Sequence, residues 1–411
     1  MTEETQVTGG RRIWGLNPNI FFLGIVSLLT DVSSEMIFTL VPVFLTNVLG
    51  AAGTIVGLIG GLSEGADAIF RIFSGWFSDK LGKRKGLAVL GYGISTVSKP
   101  FLYLANAGWG VVLCVRFTDR IGKGVRTSSR DALIADSVSA EERGKGFGLH
   151  RAMDTAGAFL GLAIAALIVY LVRGASTVEI DLHCFRWLVI VGAVPAVLAV
   201  IVLIAFVREK KRQQPAGNAA QQGLTLSGIK GSFDKRFWIF LAILVVFTLG
   251  NSSDFFVILR AQNLDAPLVH VVLMLVAWNA VEAALSLPMG ILSDKLGRRK
   301  ILAMGWFIYA LVYLGFAVSS SIWQIWLLFA AYGIYYGIAQ GVARAFVADL
   351  APADKRGTAY GLYHGVVGLT LIAASLIAGV LWDNVSTAAP FYFGAGLAFV
   401  ALIGIITVVK E

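Results

Sequence analysis

"RFTDRIGKGVRTSSRD", residues 116–131, carries seven charged side chains: Arg116, Asp119, Arg120, Lys123, Arg126, Arg130 and Asp131. The sequence on either side is strongly apolar. Three readings compete: a cytoplasmic loop, a phosphate-binding loop, or a charged helix inside a membrane. A phosphate-binding loop needs G-x-x-x-x-G-K-[ST] after a strand. Here Lys123 is followed by Gly124, and no strand pattern precedes it. The loop reading fails on length, because "GWGVVLCVRF" (108–117) is too short to cross a bilayer alone. The charges therefore lie on a helix.

Periodicity says where they point. At about 100° per residue, all seven fall within an arc of about 140°. Val111, Val115, Ile121 and Val125 are not confined to the opposite face, so the amphipathicity is imperfect. Each charge costs about 2.5–3.5 kcal/mol at a membrane centre on insertion scales. A face carrying so many cannot meet lipid. It must meet water, other charges or a solute.

The rest of the chain supports a membrane setting. Of 411 residues, 57% are hydrophobic and 14% charged, against roughly 25% charged in an average soluble protein. Mean hydropathy is +0.77. A bilayer core about 30 Å thick needs about 20 apolar residues per helix, and such runs recur along the sequence. Twelve spans are predicted, at 19–48, 53–77, 86–106, 109–136, 144–172, 185–207, 236–259, 267–292, 300–318, 322–350, 357–382 and 388–409. The fold class is an all-α polytopic membrane protein.

The net charge of +9 might suggest nucleic acid as a partner. Its distribution does not. With both termini placed inside, 22 of the 34 Lys and Arg residues fall in cytoplasmic segments and three (Arg173, Arg186, Arg260) at outer ones. The remaining nine lie within helices. This is the positive-inside pattern, so the expected partner is the lipid bilayer, not nucleic acid. Cys114 and Cys184 are too few for a disulfide framework and read as free thiols. Residues 1–19 lack the apolar core of a cleaved signal and read as a cytoplasmic tail.

A basic, Gln- and Gly-rich stretch at 208–235 reads as a cytoplasmic linker between six-helix halves at 1–207 and 236–411. The halves repeat. "GWFSDKLGKRK" (75–85) matches "GILSDKLGRRK" (290–300), and "ADSVSAEERGKGFGLH" (135–150) matches "ADLAPADKRGTAYGLY" (348–363). Internal repeats of this kind characterise secondary transporters, whose site lies near the membrane midplane.

On these motifs the chain resembles the major facilitator superfamily. "GWFSDKLGKRK" resembles that family's loop signature between the second and third helices, with its second copy in register. "RFTDRIGKG" resembles its fourth-helix motif. The resemblance implies an alternating-access fold with the first, fourth, seventh and tenth spans lining a central cavity. It also implies that the signature loops latch the cytoplasmic side, which assigns Asp79, Lys80, Arg84, Asp294 and Arg298 to gating. Arg130 and Asp131, nearer the cytoplasmic end of the fourth span, join them.

The repeat tests the fourth-span charges. Adding 213 to Arg116, Arg120, Lys123, Arg126 and Arg130 gives Phe329, Gly333, Tyr336, Ala339 and Ala343. A scaffold need shared by both halves would have kept charge in both. Arg116, Asp119, Arg120, Lys123 and Arg126 are therefore candidates for solute handling, with Tyr332, Tyr336 and Gln340 on the opposing tenth span. The competing reading is an ion-pair network using Asp67, Arg71, Arg151 and Asp154.

Membrane carboxylates are candidate proton carriers: Asp31 and Glu35 in the first span, Asp154 in the fifth and Asp254 in the seventh. Pairing with the fourth-span cations is the alternative role, and the two are compatible. Glu64, Asp67, Asn279 and Glu282 recur in both halves and read as architectural. His150 and His364 lack partners at metal-ligand spacing, so neither a metal nor a cofactor is expected.

The expected function is secondary active transport of a small anionic or zwitterionic organic solute, coupled to protons, by a monomer in a bacterial inner membrane. The alternative is a proton-coupled multidrug or hydrophobic-cation efflux pump with its fourth-span charges internally paired. Drug exporters of the resembled family carry a Gly-Pro motif in the fifth helix, where this chain has Gly161-Leu162. No nucleophile–base arrangement suggests an enzyme.

Overall fold

The computed structural model describes residues 17–81, 84–137, 143–209, 233–352 and 356–408. The described residues form α1 (Pro18–Phe38), α2 (Val41–Asn47), α3 (Gly53–Leu81), α4 (Arg84–Ser98), a 3₁₀ helix (Lys99–Ala107), α5 (Trp109–Asp136), α6 (Arg143–Arg173) and α7 (Leu182–Phe206). After the linker follow α8 (Lys235–Gly250), α9 (Phe255–Asn263), α10 (Leu268–Leu296), α11 (Arg298–Val318), α12 (Ile322–Leu350), α13 (Arg356–Asn384) and α14 (Ala389–Thr407). Among the described residues, nine helical stretches are long and apolar enough to cross a membrane, counting α1–α2 and α8–α9 as one each. The α3 and α5 helices, interrupted by charged residues, are outside that set, and α4, at 15 residues, is too short for it.

Three predicted spans are broken where the sequence predicts continuity. The span at 19–48 divides around Thr39 and Leu40, just before Pro42 in the first turn of α2. Proline lacks an N–H and excludes the preceding carbonyl, so it starts a helix more easily than it continues one. The span at 236–259 divides at "NSSD", residues 251–254. Four short polar side chains compete there with the backbone for hydrogen bonds. The span at 86–106 tightens to 3₁₀ geometry at Lys99, again ahead of a proline, Pro100. The stretch at 109–136 is one continuous helix, α5. The core of the linker, 210–232, lies outside the described residues.

Glycines let α5 be enclosed. An added Cβ on Gly122 would lie 2.6 Å from the Gly91 carbonyl oxygen of α4. One on Gly124 would lie 2.7 Å from the Phe70 Cβ of α3. Each neighbour therefore packs against bare backbone. Lys123, between the two glycines, faces inward instead. Close approach through small residues is a standard way to pack helices in lipid, where no hydrophobic force drives association. Phe117 and Cys114 on the other side of α5 are exposed. Charge points in and apolar surface points out.

The fold is tied across its length by contacts between distant helices. The Asp383 carboxylate at the end of α13 accepts hydrogen bonds from the Gly53 and Thr54 N–H groups, at 2.7 Å each, capping the start of α3. Arg260, which the sequence places at an outer segment, lies in the last turn of α9. It is buried and donates to the carbonyls of Phe316 (3.0 Å) and Ser319 (2.8 Å) at the end of α11.

Overpacking a filled helix contact costs about 1–3 kcal/mol. Gly124→Val should therefore lower the thermal midpoint of the purified protein. Gly110→Val, at a position open to space, should leave it unchanged.

Candidate functional site

The charged face of α5 borders a cavity of about 310 Å³. Its wall includes Arg116, Asp119, Arg120, Lys123 and Arg126 from α5, Asp31, Ser34 and Glu35 from α1, and Glu64 from α3. The opposing wall brings Asn251, Ser252, Ser253 and Asp254 from the break before α9, Trp278 and Asn279 from α10, and Tyr336 from α12. Lys123 and Tyr336, related by the sequence repeat, both reach this space. The cavity is therefore of mixed charge. Four basic and five acidic side chains line it, and the second wall contributes one of the acids, Asp254.

The basic residues are not equivalent. Arg120 forms an ion pair with Glu64 at 2.9 Å, so Glu64 is a cavity residue and not only architectural. Arg116, Lys123 and Arg126 form no ion pair among the described residues. Arg116 is 2% exposed, with Nε and Nη1 buried and without hydrogen-bond partners. Its guanidinium lies 4.3 Å from the Phe38 ring centre and 5.3 Å from that of Phe255. Aromatic faces stabilise a cation but leave its N–H groups unmet. Arg126 sits over Tyr92 at 4.7 Å, with Nη1 unpartnered. Asp119 accepts from the Ser95 hydroxyl of α4.

Asp254 organises the opposing wall. Its carboxylate accepts from the Tyr332 hydroxyl at 2.9 Å and from the Tyr336 hydroxyl at 3.0 and 3.1 Å. Tyr332 is fully buried behind Tyr336 and contributes its hydroxyl without bordering the cavity. Trp278 packs 4.9 Å from the Tyr336 ring, with its Nε1 buried and unpartnered. The side chain of Gln340 lies outside the described residues.

Asp154 does not border the cavity. It accepts from the Ser27 hydroxyl and pairs with Arg151 at 3.2 Å. Arg130 pairs with Asp131 at 2.9 Å, below the cavity. Asp67 pairs with Arg71 at 2.7 Å.

Among the gating candidates, Arg298 bridges Asp294 (3.1 Å) and Asp349 (2.5 Å), linking the α10–α11 turn to the end of α12. The Arg84 N–H donates to Glu209 and its guanidinium to the Ala132 carbonyl. The side chains of Asp79 and Lys80 lie outside the described residues.

Two participants escape the sequence reading. Lys99 is fully buried and donates to Ser33 and Ser34 of α1 at 3.0 Å each. A lysine in an apolar run was the available signal. Trp278 gave none, since an aromatic on an apolar helix reads as packing.

The Major Facilitator Superfamily model matches residues 23–277 and 255–411. The chain belongs to the major facilitator superfamily. It is thus a multi-pass membrane transporter and not an enzyme. An uncharacterized MFS-type transporter of Methanocaldococcus jannaschii is 39% identical over 392 residues, 94% of each chain. In fold the chain is similar to the nucleoside transporter NupG (TM-score 0.75, 14% identity, 95% of this chain and 99% of that one). It is also similar to the crystal structure of a D-xylose-proton symporter (TM-score 0.73, 15% identity, 96% and 98%). The cavity takes in the first, fourth, seventh and tenth spans that the family resemblance implies, and adds Glu64 of the second and Trp278 and Asn279 of the eighth.

The ion-pair inventory predicts opposite stability effects for neighbouring arginines. Arg120→Met breaks the pair with the part-exposed Glu64 and should destabilise the protein by up to about 1 kcal/mol. Arg116→Met removes a buried charge with no pair to break, so it should leave stability unchanged or raise it. Denaturant melts of the purified variants in one detergent check both.

Proposed function

We propose that this transporter moves a small anionic or zwitterionic organic solute by alternating access, coupled to protons. The observation that carries the reading is Arg116: a buried guanidinium on the cavity wall whose Nε and Nη1 have no partner. Burying an unpaired charge is costly, and a carboxylate or phosphate is the complement of a guanidinium fork. Lys123 and Arg126, also without ion pairs, extend that positive surface. A cavity of about 310 Å³ is at the small end of the 300–1,000 Å³ common for ligand sites. It favours a small solute over a bulky drug.

Proton coupling is supported by Asp31, which borders the cavity inside the membrane, where an ionisable side chain marks a functional path. Asp154, the candidate from α6, lies off the cavity and is held by Ser27 and Arg151. Asp254, bordering the cavity from the other wall, is a second candidate carrier. Glu35 borders the cavity beside Asp31. The two six-helix halves, 1–207 and 236–411, rock about this site, with the Arg298 bridges holding the ends of α10, α11 and α12 together within the second half. Both termini are cytoplasmic in a bacterial inner membrane, and the monomer is the working unit.

Arg116→Gln and Lys123→Ala should each reduce transport at least about tenfold, the loss expected for a charge-assisted hydrogen bond, while reaching the membrane at normal levels. Normal transport by both would remove the solute site. In proteoliposomes, an imposed pH gradient should drive accumulation by the wild type and not by Asp31→Asn. Accumulation indifferent to the gradient would remove proton coupling.

A further inference from the structure

We infer that the solute is a zwitterion, with its carboxylate on Arg116 and its ammonium against Asp254, beside the rings of Trp278 and Tyr336. The inference rests on the transporter reading above and adds the positive end of the solute. Asp254 is the one charged side chain that the wall from α8 to α13 gives the cavity, and it forms no ion pair among the described residues. Two tyrosine hydroxyls hold its carboxylate in place, and Oδ2 accepts from only one of them. Trp278 and Tyr336, 4.9 Å apart, border the same space. A fixed carboxylate beside aromatic faces is a binding site for an organic cation.

The opposite charge borders the same cavity and is unpaired with it. Arg116 packs at 5.3 Å on the ring of Phe255, the residue that follows Asp254. Yet Arg116 keeps two buried donors unmet instead of bonding Asp254. A simple anion would answer Arg116 and bring its charge toward Asp254. A simple cation would do the reverse. Only a solute with both charges compensates both residues at once.

The test uses the purified full-length protein and three sets of probes. The zwitterions are glycine betaine, γ-aminobutyrate and their longer homologues. The anions are carbon isosteres such as tert-butylacetate, and the cations are analogues lacking the carboxylate, such as choline. At least one zwitterion should protect against thermal unfolding at a concentration about tenfold or more below its matched anion and cation, the loss expected for one charge-assisted contact. Asp254→Asn should erase the preference over the anion while anion protection persists. Trp278→Phe, which keeps the carboxylate, should narrow the preference in the same direction. Anions protecting as well as zwitterions would overturn the inference and leave the anion-transport reading standing. Protection by cations alone, or by no probe, would overturn both.

Discussion

A guanidinium cannot be left facing hydrocarbon, and α5 carries three of them, with Lys123, along the cavity. That constraint organises the surrounding helices. The face must be enclosed by other protein, yet arginine and lysine are long and hold neighbours away. The sequence resolves the conflict by placing Gly122 and Gly124 on either side of Lys123. The first meets α4 backbone and the second meets α3, each at a distance a side chain would forbid. The "GKG" that superficially suggests a nucleotide loop is a packing device. It seats two helices against α5 and leaves one cation free to reach the interior.

The opposing wall answers the same constraint differently. At the positions related by the repeat, charge gives way to Phe329, Gly333, Tyr336, Ala339 and Ala343. Charge on that side comes instead from a broken helix, where "NSSD" interrupts α8 and α9 and presents Asp254. A carboxylate at a helix break can be oriented by side chains from elsewhere, here two hydroxyls of α12. A network of this kind fixes geometry because each member's position depends on the others. The tyrosines are ordered by the stacked rings of α11 and α12, including Tyr309 against Tyr313 at 4.1 Å.

Helix positions were legible in the sequence because hydrophobic runs and charge asymmetry are properties of single segments. The inward turn of α5's charges was legible too, from periodicity alone. The breaks after Phe38 and Gly250 were not, since neither run loses enough apolar character to signal a stop. Pairings were the least legible. Nothing in the spacing of Glu64 says that it meets Arg120, or that Asp154 turns to Ser27 and Arg151 away from the cavity. Such contacts depend on helix rotation and depth, which packing decides. Lys99 shows the same limit: its rarity in a membrane run marks it as important, but only the fold supplies Ser33 and Ser34.

The charges along the cavity nearly cancel, and this explains which one stands out. A purely cationic cavity would be expensive to hold inside a membrane, because each added positive charge raises the cost of the next. Glu64, Glu35, Asp31 and Asp119 reduce that cost from the same wall. Once they are counted, Arg120 is answered directly and Arg126 is partly answered by Tyr92. Arg116 is left with aromatic rings and unmet donors. Local choices that sacrifice stability with no structural gain are expected where function requires them. A methionine would fill the same volume between Phe38 and Phe255 at lower cost, so the guanidinium is explained by what enters the cavity and not by what surrounds it.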